Sequence, residues 1–342
     1  MRTSDALARD DLLALAATLT GRAGLGRTRS LTRLDGGRNN QVFRVERDAG
    51  AALVMKRYFT DARDNRDRLA AEWNFLDRAW GDGVRAIARP LAKDDSAQAA
   101  LYSFVPGRKL AAVELEVGHI DAAADFVAAI NARPLAGLAP ASDACFSIFD
   151  HLQLVERRLL RLAALDREAP HVAEAERFVF ATLRPMWKTV SAQVTREARA
   201  LGFDLHRELA AESECCLSPS DFGFHNALAD ADGRLVFLDF EYAGRDDPAK
   251  LVLDFFCQPQ VPVPPRYRDR FLARLALDDI TQARCMVLLD ACRVKWACIL
   301  LNDFLPVGAA RRAFAEMGER EARCAVQLEK AKAMLSEIRP SA

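Results

Sequence analysis

The sequence predicts an α+β chain in two lobes, a small antiparallel-sheet first lobe and a large, mainly helical second one. Three observations predict it. Alternating, strand-compatible runs crowd into the residues before Phe104, helical periodicity dominates from Val113 onward, and Val105-Pro106-Gly107 punctuates the change. The two lobes are therefore expected over residues 1–106 and 107–342.

Each element has its own justification. Residues 4–19 carry an amphipathic helical pattern that ends near Gly21. Ser30–Leu34 and Gln41–Glu46 alternate on either side of an Asp35-Gly36-Gly37 turn, and Ala52–Tyr58 follows the turn at Asp48–Gly50, so a hairpin plus a third strand is expected. Asp61–Trp80 places Leu69, Trp73 and Leu76 at helical spacing. Short strands are expected around Arg89–Ala92 and Ala99–Phe104. Beyond the Pro-Gly hinge, Leu152, Val155, Leu159 and Leu162 form one helical face, and Glu174–Leu201 contains a helical region interrupted or started around Pro185. Residues 214–241 read as loop, strand, turn, strand, and the chain after the Pro-rich Gln258–Pro265 loop is helical to about Ile338. Gly21, Gly24 and Gly26 precede a strand instead of opening a helix, which makes them a connector rather than a dinucleotide loop.

Bulk composition narrows the function classes. The 342 residues are 51% hydrophobic and 28% charged, enough for a substantial core. Forty-eight basic and 48 acidic side chains cancel to +0, so no overall field favours nucleic acid or an anionic membrane as partner. Asp5, Asp10 and Asp11 precede the apolar Leu12–Leu19 stretch, the reverse of a signal peptide's charge order. No run reaches the roughly 18 apolar residues of a membrane span. The eight cysteines lack the spacing of a zinc site or disulfide framework, and such usage fits a reducing cytoplasm.

The residues that carry chemistry lie in Ser218–Asn226 and Leu238–Glu241. Read alone, Ser, Pro, Asp, Gly and Asn cluster there because turns favour them. Read for function, Asp221 orients and deprotonates an attacking hydroxyl, while Asn226, five residues on, offers an amide oxygen to magnesium, a hard cation. Asp239 then arrives at the end of the Arg234–Leu238 run, and Glu241 is a further ligand or a substrate contact. Upstream, Gly36 and Gly37 let a backbone approach phosphates, with Arg38, Asn39 and Asn40 adding donors, although a Gly-Gly hairpin alone is common. Lys56 stands in an apolar strand, where an edge lysine would snorkel, and Glu72 on the following helix can pair with it. The ordered set of glycine turn, strand lysine, helix glutamate, hinge, Asp-x-x-x-x-Asn and strand-end Asp belongs to phosphoryl transfer from a nucleoside triphosphate.

On these residues the chain resembles the aminoglycoside phosphotransferase and choline kinase family, which has a protein-kinase-like fold. The resemblance runs from about Leu31 to Phe256, and Leu238–Gly244 is especially similar to choline-kinase-type members. It implies a magnesium-dependent kinase using ATP (or GTP), with Asp221 as catalytic base, Asn226 and Asp239 as metal ligands, Lys56 and Glu72 positioning the phosphates, and the nucleotide held near Val105–Gly107. Two positions depart from the family pattern. Pro219 stands where a histidine is usual, and Asp246-Asp247-Pro248-Ala249-Lys250-Leu251 replaces Gly-Asp-Pro-x-x-Asp-Leu, the next aspartate being Asp254.

The expected acceptor is a hydroxyl on a small metabolite such as a sugar, amino alcohol or aminoglycoside, recognised by the helical lobe near residues 113–200 and the Met286–Phe304 helix with Asp290, Arg293, Lys295, Trp296, Asn302 and Asp303. A slight basic excess after Gln258 counts against a polycation. The alternatives are a nucleotide-binding pseudokinase with a regulatory role, should Pro219 misplace Asp221, and a protein kinase. Intact Lys56, Asp221, Asn226 and Asp239 favour an enzyme.

Overall fold

The computed structural model describes residues 8–34, 39–315 and 318–338. They fall into two compact units, and neither is continuous in sequence. The first comprises Met1–Lys109, Asn226–Tyr242 and Ala310–Gly318; the second comprises Leu110–His225, Ala243–Ala309 and Glu319–Ala342.

The first unit is built on a five-stranded antiparallel sheet in the order β1-β2-β3-β5-β4. Its strands are β1 (Thr28–Arg33), β2 (Gln41–Arg47), β3 (Leu53–Arg57), β4 (Pro90–Asp94) and β5 (Ala99–Ser103). Leu31, Phe43, Val45, Leu53, Met55 and Leu101 bury one face together with Leu12, Ala16 and Leu19 of helix α1 (Arg9–Arg22). Strand alternation then sends Lys56 to the side opposite Met55. Register pairs it with Val42 on β2 and Ala100 on β5.

Helix α2 spans Arg68–Gly81, so the helical pattern expected from Asp61 begins seven residues later. The intervening aspartates account for the delay. Asp61 accepts from the backbone N–H of Arg63 at 2.9 Å, and Asp67 caps the helix by accepting from Ala70 N–H at 2.9 Å. Short acidic side chains that bond nearby backbone compete with helix and favour its N-terminus.

A two-stranded hairpin, β7 (Ala227–Ala229) with β8 (Leu235–Phe237), also belongs to this unit. Phe237 N–H donates to Ala86 O at 2.8 Å, and Arg108 exchanges two backbone hydrogen bonds with Ala229. That close approach explains Gly107: a Cβ there would lie 2.8 Å from Ala229 O and 3.0 Å from Leu228 Cβ. The end of helix α10 (Pro306–Phe314) completes the unit. Phe314 packs on Phe59 with ring centroids 5.6 Å apart, its carbonyl accepts from Gln41 Nε2, and Ala315 O accepts from Arg33 Nη2.

The second unit is mostly helical. Helix α9 (Asp279–Leu300) packs against α4 (Ile148–Arg161), α6 (Arg184–Ala200), α7 (Pro248–Cys257) and α11 (Arg320–Ser336). Their shared core includes Val155, Trp187, Leu253, Leu288, Phe304 and Leu328. The interruption at Pro185 takes the form of a single π-helical turn, Val179–Leu183, between α5 (Val172–Phe178) and α6. A wider turn is one way a helix absorbs the missing proline N–H. Helices α3 (Val117–Ile130) and α8 (Arg268–Leu275) pack together, joined by bidentate Arg270–Asp121 and Arg274–Asp125 pairs. The short strands β6 (Cys216–Ser218) and β9 (Gly244–Asp246) pair antiparallel. All eight cysteines are free and buried, and no described helix is long and apolar enough to cross a membrane.

Candidate active site

Within the first unit, Lys56 is the centre of a carboxylate cluster. Its Nζ lies 2.6 Å from Glu72 Oε2 and 2.5 Å from Asp239 Oδ1. The β3 register aims the ammonium at α2, where Leu69 and Leu76 are buried and carry Glu72 inward with them. Tyr58 fixes Glu72 further, donating from its hydroxyl at 2.8 Å while lying 2.7 Å from the Tyr102 hydroxyl. Burial opposes the Lys56 charge, but Asp239, Glu72 and Glu241 outweigh it and hold its pKa well above the lysine value.

The β7–β8 hairpin positions Asn226 and Asp239. Ala227 pairs with Phe237, so the residues just outside them meet at one end, where Leu238 N–H donates to Asn226 O at 2.8 Å. Asp239 has φ 67°, a left-handed conformation uncommon for a non-glycine residue. Phe240 holds it there: its ring is 1% exposed and stacks on Phe75 of α2 at 4.2 Å. Burial, reinforced by Glu241 and Glu72, pushes the Asp239 carboxyl up to about 7 against the pull of Lys56. A carboxylate crowded by two others favours a divalent cation beside it. One carboxylate, one amide oxygen and substrate phosphates make a suitable magnesium donor set. Among the described residues no group of three or more His, Cys, Asp or Glu is arranged to hold a metal by itself, and such a set needs none.

Glu241 differs from the ligand or substrate contact expected of it. It is 1% exposed and accepts from Asn39 Nδ2 at 2.5 Å and from Asn40 Nδ2, with Arg68 Nε 3.8 Å away. Burial raises its pKa, but Lys56, Arg68 and Asn40 outweigh that and leave it lowered. It thus ties the Asp239 segment to the start of β2. Asn39 also donates to the Tyr242 hydroxyl at 3.1 Å and accepts from Arg312 Nη1 at 2.7 Å, so its side chain is engaged within the protein. Gly36 and Gly37 lie outside the described residues.

Within the second unit, Asp221 follows a tight turn. Asp221 N–H donates to Pro219 O at 3.0 Å, and Ser220 between them has φ 69°. Non-glycine residues held in this region store strain, which is common where a side chain must be aimed. His225 Nε2 lies 3.1 Å from Asp221 Oδ1. A histidine is therefore present at the aspartate, four residues after it rather than two before. Sequence reading overlooked it because only the upstream position was compared. The i, i+4 spacing across Asp221–His225 was the available signal.

The second departure, at Asp246–Lys250, also has a structural account. Lys250 Nζ pairs with Asp246 at 2.7 Å and Asp254 at 3.3 Å, and Lys295 also binds Asp254. Asp246 Oδ1 accepts from Cys145 N–H, and Asp247 binds Arg284 and His151. Leu251 stands where the family has aspartate and Asp246 where it has glycine, and Lys250 between them is buried with a carboxylate on either side. Gly244 is required beside it, because a Cβ would lie 2.5 Å from Ala141 N. Lys295 and Trp296, expected near substrate, are only 6% and 7% exposed and belong to this buried network and the α9 core. Arg293 pairs with Asp290 at 2.8 Å.

Known proteins frame this geometry. The model of the phosphotransferase enzyme family (APH) matches residues 30–284. None of the curated proteins matches the chain. Among solved structures, a choline/ethanolamine kinase family protein from Mesorhizobium loti aligns over 95% of this chain and 94% of its own, at 17% identity and a TM-score of 0.61. Spectinomycin phosphotransferase APH(9)-Ia, in complex with ADP and spectinomycin, covers 96% and 99% at 12% identity and a TM-score of 0.61. Amicoumacin kinase hAmiN, in complex with AMP-PNP, Ca2+ and Ami, covers 98% and 95% at 14% identity and a TM-score of 0.59. At these identities the structures speak for the fold, and the family match for the chemistry. The chain belongs to the phosphotransferase enzyme family and is a phosphotransferase with a kinase-like fold.

Proposed function

We propose that the chain transfers the γ-phosphate of ATP (or GTP), bound with Mg2+, to a hydroxyl of a small metabolite, in the cytoplasm. The observation that supports this most is the Lys56 ammonium held between Glu72 and Asp239, at 2.6 and 2.5 Å. The nucleotides bound by two kinase neighbours, and the divalent cation in one, support the same reading.

Lys56, oriented by Glu72, contacts the phosphates. Asn226 and Asp239 supply oxygens to the metal. Magnesium, when bound, neutralises charge on the transferring phosphoryl group. Asp221 accepts the acceptor hydroxyl's proton as its oxygen bonds to the γ-phosphorus and the nucleoside diphosphate leaves. His225, bonded to Asp221, keeps the carboxylate in one orientation. Gly36 and Gly37 lack a Cβ and suit close approach of backbone N–H groups to phosphate, with Asn39 steadying the neighbouring chain. Every side chain that the motif needs is present, which favours a working enzyme over a pseudokinase.

The test is transfer of labelled phosphate from ATP and GTP to a panel of sugars, amino alcohols and aminoglycosides. Magnesium-dependent labelling of at least one acceptor is the expected result. Nucleotide binding without transfer to any acceptor, or slow hydrolysis in its place, counts against the proposal.

A further inference from the structure

Arg311 is a buried guanidinium with no protein counter-ion among the described residues. It is 7% exposed, and its Nε has no hydrogen-bond partner. It sits on the last turns of α10, in the part of that helix that belongs to the first unit, whose place is fixed by Phe314 on Phe59 and by the Gln41 and Arg33 bonds to its carbonyls. Around it the other charges are mostly cations. Arg66 and Arg68 share Asp64, and both guanidinium groups lie over the Tyr242 ring, at 5.2 and 5.8 Å from its centroid. Arg312 Nη1 donates to Asn39 Oδ1, and Asn39 Nδ2 in turn donates to Glu241 and the Tyr242 hydroxyl. Burial and these arginines lower the Arg311 pKa, with Tyr242 acting the other way.

A buried charge is costly unless it is paired, and arginine's planar fork matches phosphate and carboxylate. Arg66 and Arg68 have Asp64 and Arg312 has Asn39, so the guanidinium beside the Glu241–Asn39–Tyr242 lock that lacks an anion among the described residues is Arg311. We propose that Arg311, with Arg66, Arg68 and Arg312 around it, binds an oxyanionic group, a phosphate or carboxylate, carried by a ligand of the phosphotransfer reaction. The group has two possible sources: the terminal phosphate of the nucleotide, or an anionic group on the acceptor. The second would give the enzyme a phosphorylated or carboxylated acceptor rather than a cationic one. The proposal deepens the kinase reading and rests on it.

The experiment compares wild type with Arg311→Met and Arg311→Lys, reading thermal stability with and without inorganic phosphate and calorimetric affinity for Mg·ATP and Mg·ADP. Without any anion, Arg311→Met is expected to melt no lower than wild type, because an unpaired buried charge has been removed. Phosphate is expected to raise the melting temperature of wild type, less that of Arg311→Lys, and not that of Arg311→Met. If the nucleotide supplies the anion, Arg311→Met weakens Mg·ATP roughly 10- to 100-fold and leaves Mg·ADP unchanged. If the acceptor supplies it, both nucleotides bind all variants alike, and phosphate still stabilises ADP-loaded wild type but not ADP-loaded Arg311→Met. Equal phosphate stabilisation of wild type and Arg311→Met, or none of either, together with unchanged nucleotide affinities overturns the proposal. So does an Arg311→Met protein that melts well below wild type yet keeps its phosphate response, since that marks a structural arginine. All readouts are binding and stability, so failure here leaves the turnover test of the kinase reading untouched.

Discussion

Asp239→Asn separates the cost of the carboxylate cluster from its use. The substitution removes one charge, keeps an oxygen that accepts from Lys56, and suits the left-handed backbone at φ 67°, a conformation asparagine tolerates. Moving the carboxyl from 3.8 up to about 7 corresponds to about 4 kcal/mol against the ionised form. The side chain is 32% exposed, and solvent screening cuts this to about 1–2 kcal/mol. The raised pKa sets the sign. Ionised Asp239 destabilises the nucleotide-free fold fully above about pH 7, and the cost vanishes as pH falls towards 4. At pH 8, nucleotide-free Asp239→Asn should therefore melt about 2–4 °C above wild type, with the gap closing by pH 4–5. Binding should respond in the opposite direction. Magnesium-dependent nucleotide affinity should fall about 10- to 100-fold, a range seen even for groups that merely support a metal ligand. Wild-type affinity should also fall as pH drops through about 7, while the variant's stays flat. Thermal scans and calorimetry from pH 4 to 8 read both effects. A variant less stable than wild type at pH 8, or one binding Mg·ATP with unchanged affinity, would refute the reasoning.

Further expectations follow from the same contacts. Glu72→Ala takes one of the two carboxylates from Lys56 and the carboxylate acceptor from Tyr58; denaturant unfolding should show a loss of about 3 kcal/mol, as for other broken buried pairs. Lys250→Met takes the lysine from Asp246 and leaves Asp254 to Lys295, so a loss of about 3–5 kcal/mol is expected, and an unchanged midpoint would show that this buried charge network carries no weight. His225→Ala should lower kcat while leaving nucleotide affinity intact, and His225→Gln should restore part of it, because the ring acts only through its bond to Asp221.

Much of the fold was legible because local period and global packing agree. β2 and β3 alternate, and the hairpin turns carry glycine, so strand positions could be read to within a few residues. Lys56 stood out as a lysine in an apolar strand, and burial on the α2 side gives that oddity its reason. Other features depend on contacts far apart in sequence. The aspartates at 61, 64 and 67 sit in a stretch whose apolar spacing still looks helical, yet they bond local backbone and arginines instead. Lys295 and Trp296 were expected near substrate as part of the Met286–Phe304 helix, with Asp290, Arg293, Asn302 and Asp303. Only the fold reveals Asp254 opposite Lys295. The docking of residues 310–315 through Phe314 and Gln41 leaves no periodic trace at all. Hence Arg311 and Arg312 gave no sign from sequence that they lie beside Tyr242 and Asn39.

The central claim is that Asp221 takes the acceptor's proton and that Asn226, Asp239 and Lys56 hold the nucleotide. Its most direct test pairs phosphate-transfer turnover with Mg·nucleotide affinity in wild type and Asp221→Ala. Turnover lower by roughly 10²–10⁴ with nearly unchanged nucleotide affinity is the outcome the account requires. Equal turnover in the two proteins would contradict it.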